Sequence, residues 1–405
     1  MKRLYFILRA LLLAFLVAGI VFYIQLPRSE EAALSRIDRL ARNTTADGHW
    51  PAISIAFVAP GEILWQRSYG SADIANARPM TPETPMPIGS ISKVIIGLTA
   101  AEEARADRFD LDAPLSDHWP DLPPQLGAAS FRQLGNHSSG LRDSARGYDL
   151  AAYAQNTLTH PEPLRDYLEN YLFEGGSHFE PDTVGVTPAG ATYAYSNVGA
   201  ALAADILARA ANTDFAALSQ RNALTPLGLS ATWDATTLDN RAKLYEARGG
   251  TFEALPPYAL ATWPDGGLNA SLSDLAKLLA TLMADGSYQG IELLAPETVQ
   301  ILKEVPSADE GVSSGIGTSL FAGERFDRAD GLFWAYERWE LPLLTLEVEG
   351  HSGGDPGLVT MMYRVAATDR GFVIMVNGLK EDTWSLLQAA RLLTLIKRAA
   401  LLSPS

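Results

Sequence analysis

The 405-residue chain contains no cysteine, which excludes a disulfide framework, a thiolate metal site, a cysteine nucleophile and a lipidated cysteine anchor. Lysine is also scarce, with seven copies, and the formal charge is −15 from 47 acidic against 32 basic residues. A surface of that sign repels a phosphate backbone, so nucleic acid is not an expected partner. The six histidines are scattered, without an H-E-x-x-H or comparable ligand spacing, so no metal is implied and no cofactor is expected. Internal repeats and low-complexity tracts are absent, and long apolar runs are confined to the N-terminus.

Hydrophobic residues make up 47% and charged residues 20%, with 14 Tyr, 14 Phe and 8 Trp, which is the composition of a folded globular chain. At about 100–200 residues per domain, the length fits two or three domains or one two-lobed unit. Lys2 and Arg3 precede an apolar stretch over residues 4–26 that only Arg9 and Gln25 interrupt. Its cleaner part, 10–26, would measure about 26 Å as a helix, the lower limit for crossing a bilayer. Residues 1–26 are therefore expected to be an uncleaved signal anchor that holds the remainder outside the cytoplasm. Secretion after cleavage near Val17-Ala18-Gly19 is the alternative. Residues 27–49, an amphipathic stretch ending in the turn-rich 43–48, are expected to be a linker, and 50–402 one folded unit.

Within that unit, 52–58 and 62–67 read as a strand hairpin around Ala59-Pro60-Gly61. Residues 90–106 read as a helix apolar nearly all round, hence central. The stretch 111–229 reads as mostly helical, and 273–285 as a helix capped by Ser273. Strands are expected at 332–338, 343–348, 358–365 and 372–376, before a last helix over 383–402. The expected fold is α/β in the broad sense (α+β): an antiparallel sheet flanked by helices, with an inserted, mostly helical lobe at about 111–229.

Three short motifs carry chemistry. Ser90-Ile91-Ser92-Lys93 puts a hydroxyl and an amine one helical turn apart, a nucleophile beside a base that loses its charge readily when buried. The plainer reading makes Ser90 a helix cap. Tyr195-Ser196-Asn197 lies on a loop before a helix, where a phenol can act as acid or base and an amide can hold a carbonyl. Packing by Tyr195 and capping by Asn197 are the plainer roles. His351-Ser352-Gly353, expected at the end of a strand, offers a basic group and a hydroxyl to a substrate carboxylate. Gly353 and Gly354 would let substrate lie against that strand, although a glycine turn carrying a surface histidine reads as well.

The order S-x-x-K, Y-x-N, [KH]-[ST]-G resembles that of the penicillin-recognising serine hydrolases: class C β-lactamases, D-alanyl-D-alanine carboxypeptidases and related esterases. The likeness extends through Asn136-His137-Ser138-Ser139-Gly140-Leu141, Thr225-Pro226-Leu227-Gly228-Leu229, Gly266-Gly267-Leu268 and Gly350-His351-Ser352-Gly353-Gly354-Asp355-Pro356-Gly357. It implies a β-lactamase/transpeptidase-like fold and an acyl-enzyme mechanism on an amide or ester. Ser90 would attack, Lys93 and Tyr195 would move protons, and Asn197, His351, Ser352 and Gly353 would bind substrate. The backbone N–H groups of Ser90 and Gly354 would hold the oxyanion. Many β-lactamases carry lysine where this chain has His351, so the resemblance leans toward esterase or carboxypeptidase activity on a small-molecule or cell-wall peptide substrate. His137 falls in a segment that such proteins use as a structural turn.

Two other readings compete. Gly350-His351-Ser352-Gly353-Gly354 also satisfies the G-x-S-x-G elbow of α/β-hydrolases, which would make Ser352 the nucleophile. That elbow must turn directly into a helix and needs a later histidine, and His351 is the last in the chain. A catalytically silent, membrane-tethered homologue that binds penicillin or cell-wall peptides is the second, against which the complete set of Ser90, Lys93, Tyr195 and Asn197 weighs.

Overall fold

The computed structural model describes residues 27–144, 152–184, 187–305, 314–318, 325–341, 344–380 and 382–402. The expected anchor over 1–26 lies outside the described residues. Among those described, no helix is long and apolar enough to cross a membrane.

The first element is helix α1 (Glu30–Ala46), capped by Ser29, whose hydroxyl accepts from the Ala32 N–H. Its stripe of Ala33, Ile37 and Ala41 is buried. The 27–49 stretch is therefore not a free linker; an apolar stripe at helical spacing requires a packing partner. It finds one in the last helix, α5 (Thr383–Leu401), which covers the same face of the sheet.

That sheet is antiparallel throughout, and its strands are β1 (Ala52–Ala59), β2 (Glu62–Asp73), β3 (Arg78–Pro79), β4 (Ser314–Thr318), β5 (Arg325–Asp330), β6 (Ala335–Leu341), β7 (Leu344–Asp355), β8 (Leu358–Val365) and β9 (Arg370–Val376). In space they run β4-β5-β6-β7-β8-β9-β1-β2-β3, so the chain's two ends meet where β9 pairs with β1, Ile55 opposite Ile374. Both faces of β1 are covered, which is why its sequence is an unbroken apolar run. Ile53, Ile55 and Phe57 face α1 and α5, while Ala52, Ala56 and Val58 join the larger core on the other side. Each large side chain so buried contributes about 1.5–3 kcal/mol.

The inner core is built on helix α2 (Ser92–Arg105), in which Val94, Ile95, Ile96, Leu98, Ala100 and Ala101 are all buried. The 111–229 stretch contributes the short helices Phe131–Gly135, Leu164–Leu172 and Phe215–Ser219 and the longer α3 (Asn197–Ala210). Helix α4 (Leu272–Met283) closes this side, and its cap is Ser271 rather than Ser273: Ser271 and Asp274 exchange the two bonds of a capping box. A second difference concerns β7. The strand expected to stop at 348 continues to Asp355, so the third motif lies inside a strand; along the motif it pairs with β8 alone, because its pairing with β6 ends at Gly350.

Candidate active site

The first motif does not start α2 directly. Gly89–Ile91 form a single 3-10 turn before it, and the helix has no side-chain cap. Ser90 is thus free of the capping role. Gly89 takes a left-handed φ of +55° and lies under β7, where an added Cβ would be 3.1 Å from both Gly353 Cα and Gly354 N. The turn sets Ser90 half-exposed at the edge of the cleft.

Lys93 is completely buried. Its Nζ lies 2.9 Å from Ser90 Oγ, 2.8 Å from Asn197 Oδ1 and 2.8 Å from the carbonyl oxygen of Asp265. The same nitrogen lies 5.2 Å from the centre of the Tyr195 ring. Three residues more than a hundred positions apart in places thus converge on one amine, and a buried lysine head needs such a set of acceptors.

Helix α3 begins at Asn197, so the second motif is a helix start. Ser196 is the cap, its hydroxyl accepting from Gly199 N. Asp143 completes it: one carboxylate oxygen accepts from Ser196 Oγ at 2.6 Å and Val198 N at 3.1 Å, the other from Asn197 N at 2.7 Å. This clamp fixes the backbone from which Tyr195 and Asn197 project. His137, in a left-handed φ of +59°, packs its ring, tilted by 39°, with its centre 4.4 Å from that of Tyr195 and accepts the Ser196 N–H on Nδ1.

The third motif departs most from expectation. His351 is 1% exposed and faces inward; its Nδ1 meets the Ser352 carbonyl oxygen at 2.6 Å and its Nε2 meets Arg328 Nη2 at 3.3 Å. Burial, reinforced by the charges of Arg328 and Lys93, holds both His351 and His137 well below the usual histidine range. Ser352 points to the opposite face of the sheet, toward the Tyr363 hydroxyl. Gly353 faces the nucleophile turn, where a Cβ would meet Ile88 O at 2.2 Å and Ser90 N at 2.9 Å. The structure therefore corrects two assignments. Ser352 does not bind substrate through its hydroxyl, and Gly353 serves close packing of β7 on the Ser90 turn. Nor is Ser352 on an elbow, since it pairs with Met361 in mid-strand. Gly354 follows, exposed, beside Gly89.

Several participants carried no motif. Arg328 on β5 forms a bidentate pair with Asp330 at 2.7 and 2.8 Å and donates to Glu337 at 3.0 Å, with its guanidinium carbon 5.1 Å from the Tyr195 ring centre. Asp265 is 1% exposed, and burial pushes its carboxyl up to about 7 against the attraction of Lys93. Burial likewise raises Asp355, which accepts from the Tyr153 hydroxyl, to about 6. Alternation along β7 puts Asp355 on the face of His351 and Gly353 once the strand is known to run to 355. Nothing local in the sequence joins Arg328 or Asp143 to the site. Among the described residues no cluster of His, Asp and Glu could hold a metal ion.

A serine held by a buried lysine, with a tyrosine and an asparagine from one helix start alongside, has clear relatives. A family model described as Beta-lactamase matches residues 37–395. The chain belongs to the β-lactamase family. It is 25% identical over 345 residues to Penicillin-binding protein 4* of Bacillus subtilis, covering 80% of this chain and 67% of that protein. It is 29% identical over 234 residues to a D-aminopeptidase of Brucella canis, covering 56% of this chain and 41% of that longer protein. In fold it is similar to the D-amino acid amidase of Ochrobactrum anthropi, with a TM-score of 0.69 and 21% identity over 91% of this chain and 99% of the other. This β-lactamase-family serine hydrolase differs from the lysine-bearing pattern at His351, and Arg328 stands directly behind that difference.

Proposed function

We propose that the chain hydrolyses esters and small amides through an acyl-enzyme on Ser90. The observation that carries the reading is the three-point anchoring of Lys93 Nζ. Asn197 Oδ1 and the Asp265 carbonyl can only accept, so they take two N–H bonds. The remaining direction faces Ser90 Oγ, so the amine stands where an acceptor for the hydroxyl proton is needed.

As that proton passes to Lys93, Ser90 Oγ bonds to the substrate carbonyl carbon. The N–H groups of Ser90 and Gly354 stabilise the resulting oxyanion. Tyr195 then protonates the leaving oxygen or nitrogen as its bond to carbon breaks, recovering a proton from Lys93. Water attacks the ester by the reverse route and releases the acid. Asn197 and the β7 backbone position the substrate. Neutral His351 attracts a substrate carboxylate less than a lysine would, which supports esters and amides over β-lactams. The D-aminopeptidase and D-amino acid amidase among its relatives support the amide part of the reading. Residues 1–26 are read as an anchor that keeps the hydrolase unit, α1 included, outside the cytoplasm; the basic start and the apolar run support this.

A panel of nitrocefin, p-nitrophenyl esters and a D-Ala-D-Ala peptide tests the activity, with a fluorophosphonate probe reading Ser90 directly. Ester hydrolysis with weak β-lactam turnover, both lost in Ser90→Ala, is expected. Rapid nitrocefin turnover with inert esters would overturn it, and absence of Ser90 labelling would favour a silent binding homologue.

A further inference from the structure

A cavity of about 560 Å³ opens beside the cleft, and Gly266 belongs to its wall. A Cβ on Gly266 would lie 3.1 Å from Leu260 Cδ1, 3.6 Å from Asp355 Oδ2 and 3.8 Å from the carbonyl carbon of Gly89, so this glycine of the cavity wall also packs against the nucleophile turn. Two indoles, Trp233 and Trp263, packed edge to face at 5.1 Å, and the ring of Tyr258 form much of the lining.

One cation lines this aromatic space. Arg241 has its Nε withdrawn from solvent with no hydrogen-bond partner, and among the described residues it forms no ion pair; burial disfavours its charge, opposed by Tyr258. Arg328, the other arginine near the site, has two carboxylates of its own. The carboxylates that share the cavity wall with Arg241 are committed elsewhere. Glu162 accepts from Asn170 and faces His178, and Asp234 caps its own turn at Thr236. A half-buried guanidinium whose withdrawn Nε has no partner is costly, and its planar fork fits a carboxylate.

We infer that this cavity is a subsite for the acyl portion of the substrate, and that it takes an aromatic or alkyl acyl chain ending in a carboxylate, paired with Arg241. The acyl portion is the part that reaches it, because the leaving group must meet Tyr195. That residue is packed with His137, His351 and Arg328, none of which lines the cavity. A single guanidinium beside Glu162 and Asp234 suits a monoanion better than a phosphate dianion. The inference rests on Ser90 being the nucleophile and names the class of acid it carries.

The test is a series of p-nitrophenyl hemiesters of straight-chain dicarboxylic acids, from succinate to azelate, each compared with its neutral methyl ester. In the wild type at least one length should show a KM at least tenfold below that of its methyl ester. Arg241→Gln should bring that ratio to about one, and Arg241→Lys should restore part of it. The melting temperature of unliganded Arg241→Gln should not fall, because an unpaired charge has been removed. No charge preference at any length, or a preference that survives in Arg241→Gln, overturns the inference. Calorimetric titration of Ser90→Ala with monoanilides of the same acids reads the cavity without turnover. Arg241-dependent binding there supports the subsite even if Ser90 proves unreactive, and absence of binding refutes it while leaving Ser90 chemistry intact.

Discussion

His351 accepts a hydrogen bond from Arg328 on Nε2 while its Nδ1 meets the Ser352 carbonyl. A guanidinium only donates and a carbonyl only accepts, so both contacts are met by one species, the neutral imidazole protonated on Nδ1. The positive charge beside His351 is that of Arg328 on β5 of the same sheet, and it reaches Tyr195 across its ring face.

Restoring the lysine is therefore expected to harm the protein. His351→Lys would place an ammonium against a buried guanidinium, a like-charge contact that a partly desolvated site penalises. Thermal denaturation should show a lower midpoint, and nitrocefin turnover should not rise. An equal or higher midpoint would refute the charge arrangement.

Arg328→Ala removes the partner of two buried carboxylates, Asp330 and Glu337. Breaking one side of such a network costs about 3–5 kcal/mol, so urea unfolding should show the loss. Replacing Glu337 alone by Gln should cost less, since Asp330 keeps its bidentate pair.

Lys93→Arg removes the base, because guanidinium does not deprotonate in proteins. Ester turnover and fluorophosphonate labelling of Ser90 should both fall by about 100-fold or more. Labelling at the wild-type rate would exclude Lys93 as the proton acceptor.

Gly353→Ala drives a methyl group into Ile88 O and Ser90 N. The strand must withdraw, moving Gly354 N with it, and a displacement near 1 Å at a reacting centre costs about 100-fold in rate. The expected signature is a fall in kcat for the ester at nearly unchanged secondary structure by circular dichroism.

Asp265 gives a pH signature. Its folded-state value of about 7 stands above the ordinary 3.8, so folding favours its protonated form. That contribution is complete below the ordinary value and is lost as pH rises through about 7. Asp265→Asn, neutral at every pH, should gain in melting temperature over the wild type at pH 8 more than at pH 5. Equal differences at the two pH values would contradict the assignment.

Much of the site was legible because its chemistry sits in local patterns. The i, i+3 spacing of Ser90 and Lys93 survives even though a 3-10 turn intervenes, and Tyr195 and Asn197 flank a cap that Ser196 supplies by ordinary rules. What could not be read were contacts made by sheet pairing and by loops distant in sequence. Arg328 reaches His351 only because β5 and β7 both pair with β6, and Asp143 reaches α3 from 53 residues away. Ser352 and Gly353 were misread for one reason: once β7 runs unbroken through the motif, alternate residues face opposite sides of the sheet. The 27–49 stretch was misjudged because its apolar stripe is short, and its partner lies more than 300 residues further on.

That partner relationship also sets how force would pass through the molecule. Arg398 donates to the carbonyl of Pro27, and Glu30 pairs with Arg370, so the first described residues are fastened to α5 and to the start of β9. A pull applied at Pro27 is borne by this outer helical layer and by β9, a strand paired on both sides within the sheet. The turn carrying Ser90 lies on the other side of the sheet, off the line of tension, so a load at Pro27 and the geometry around Ser90 are separable in this fold.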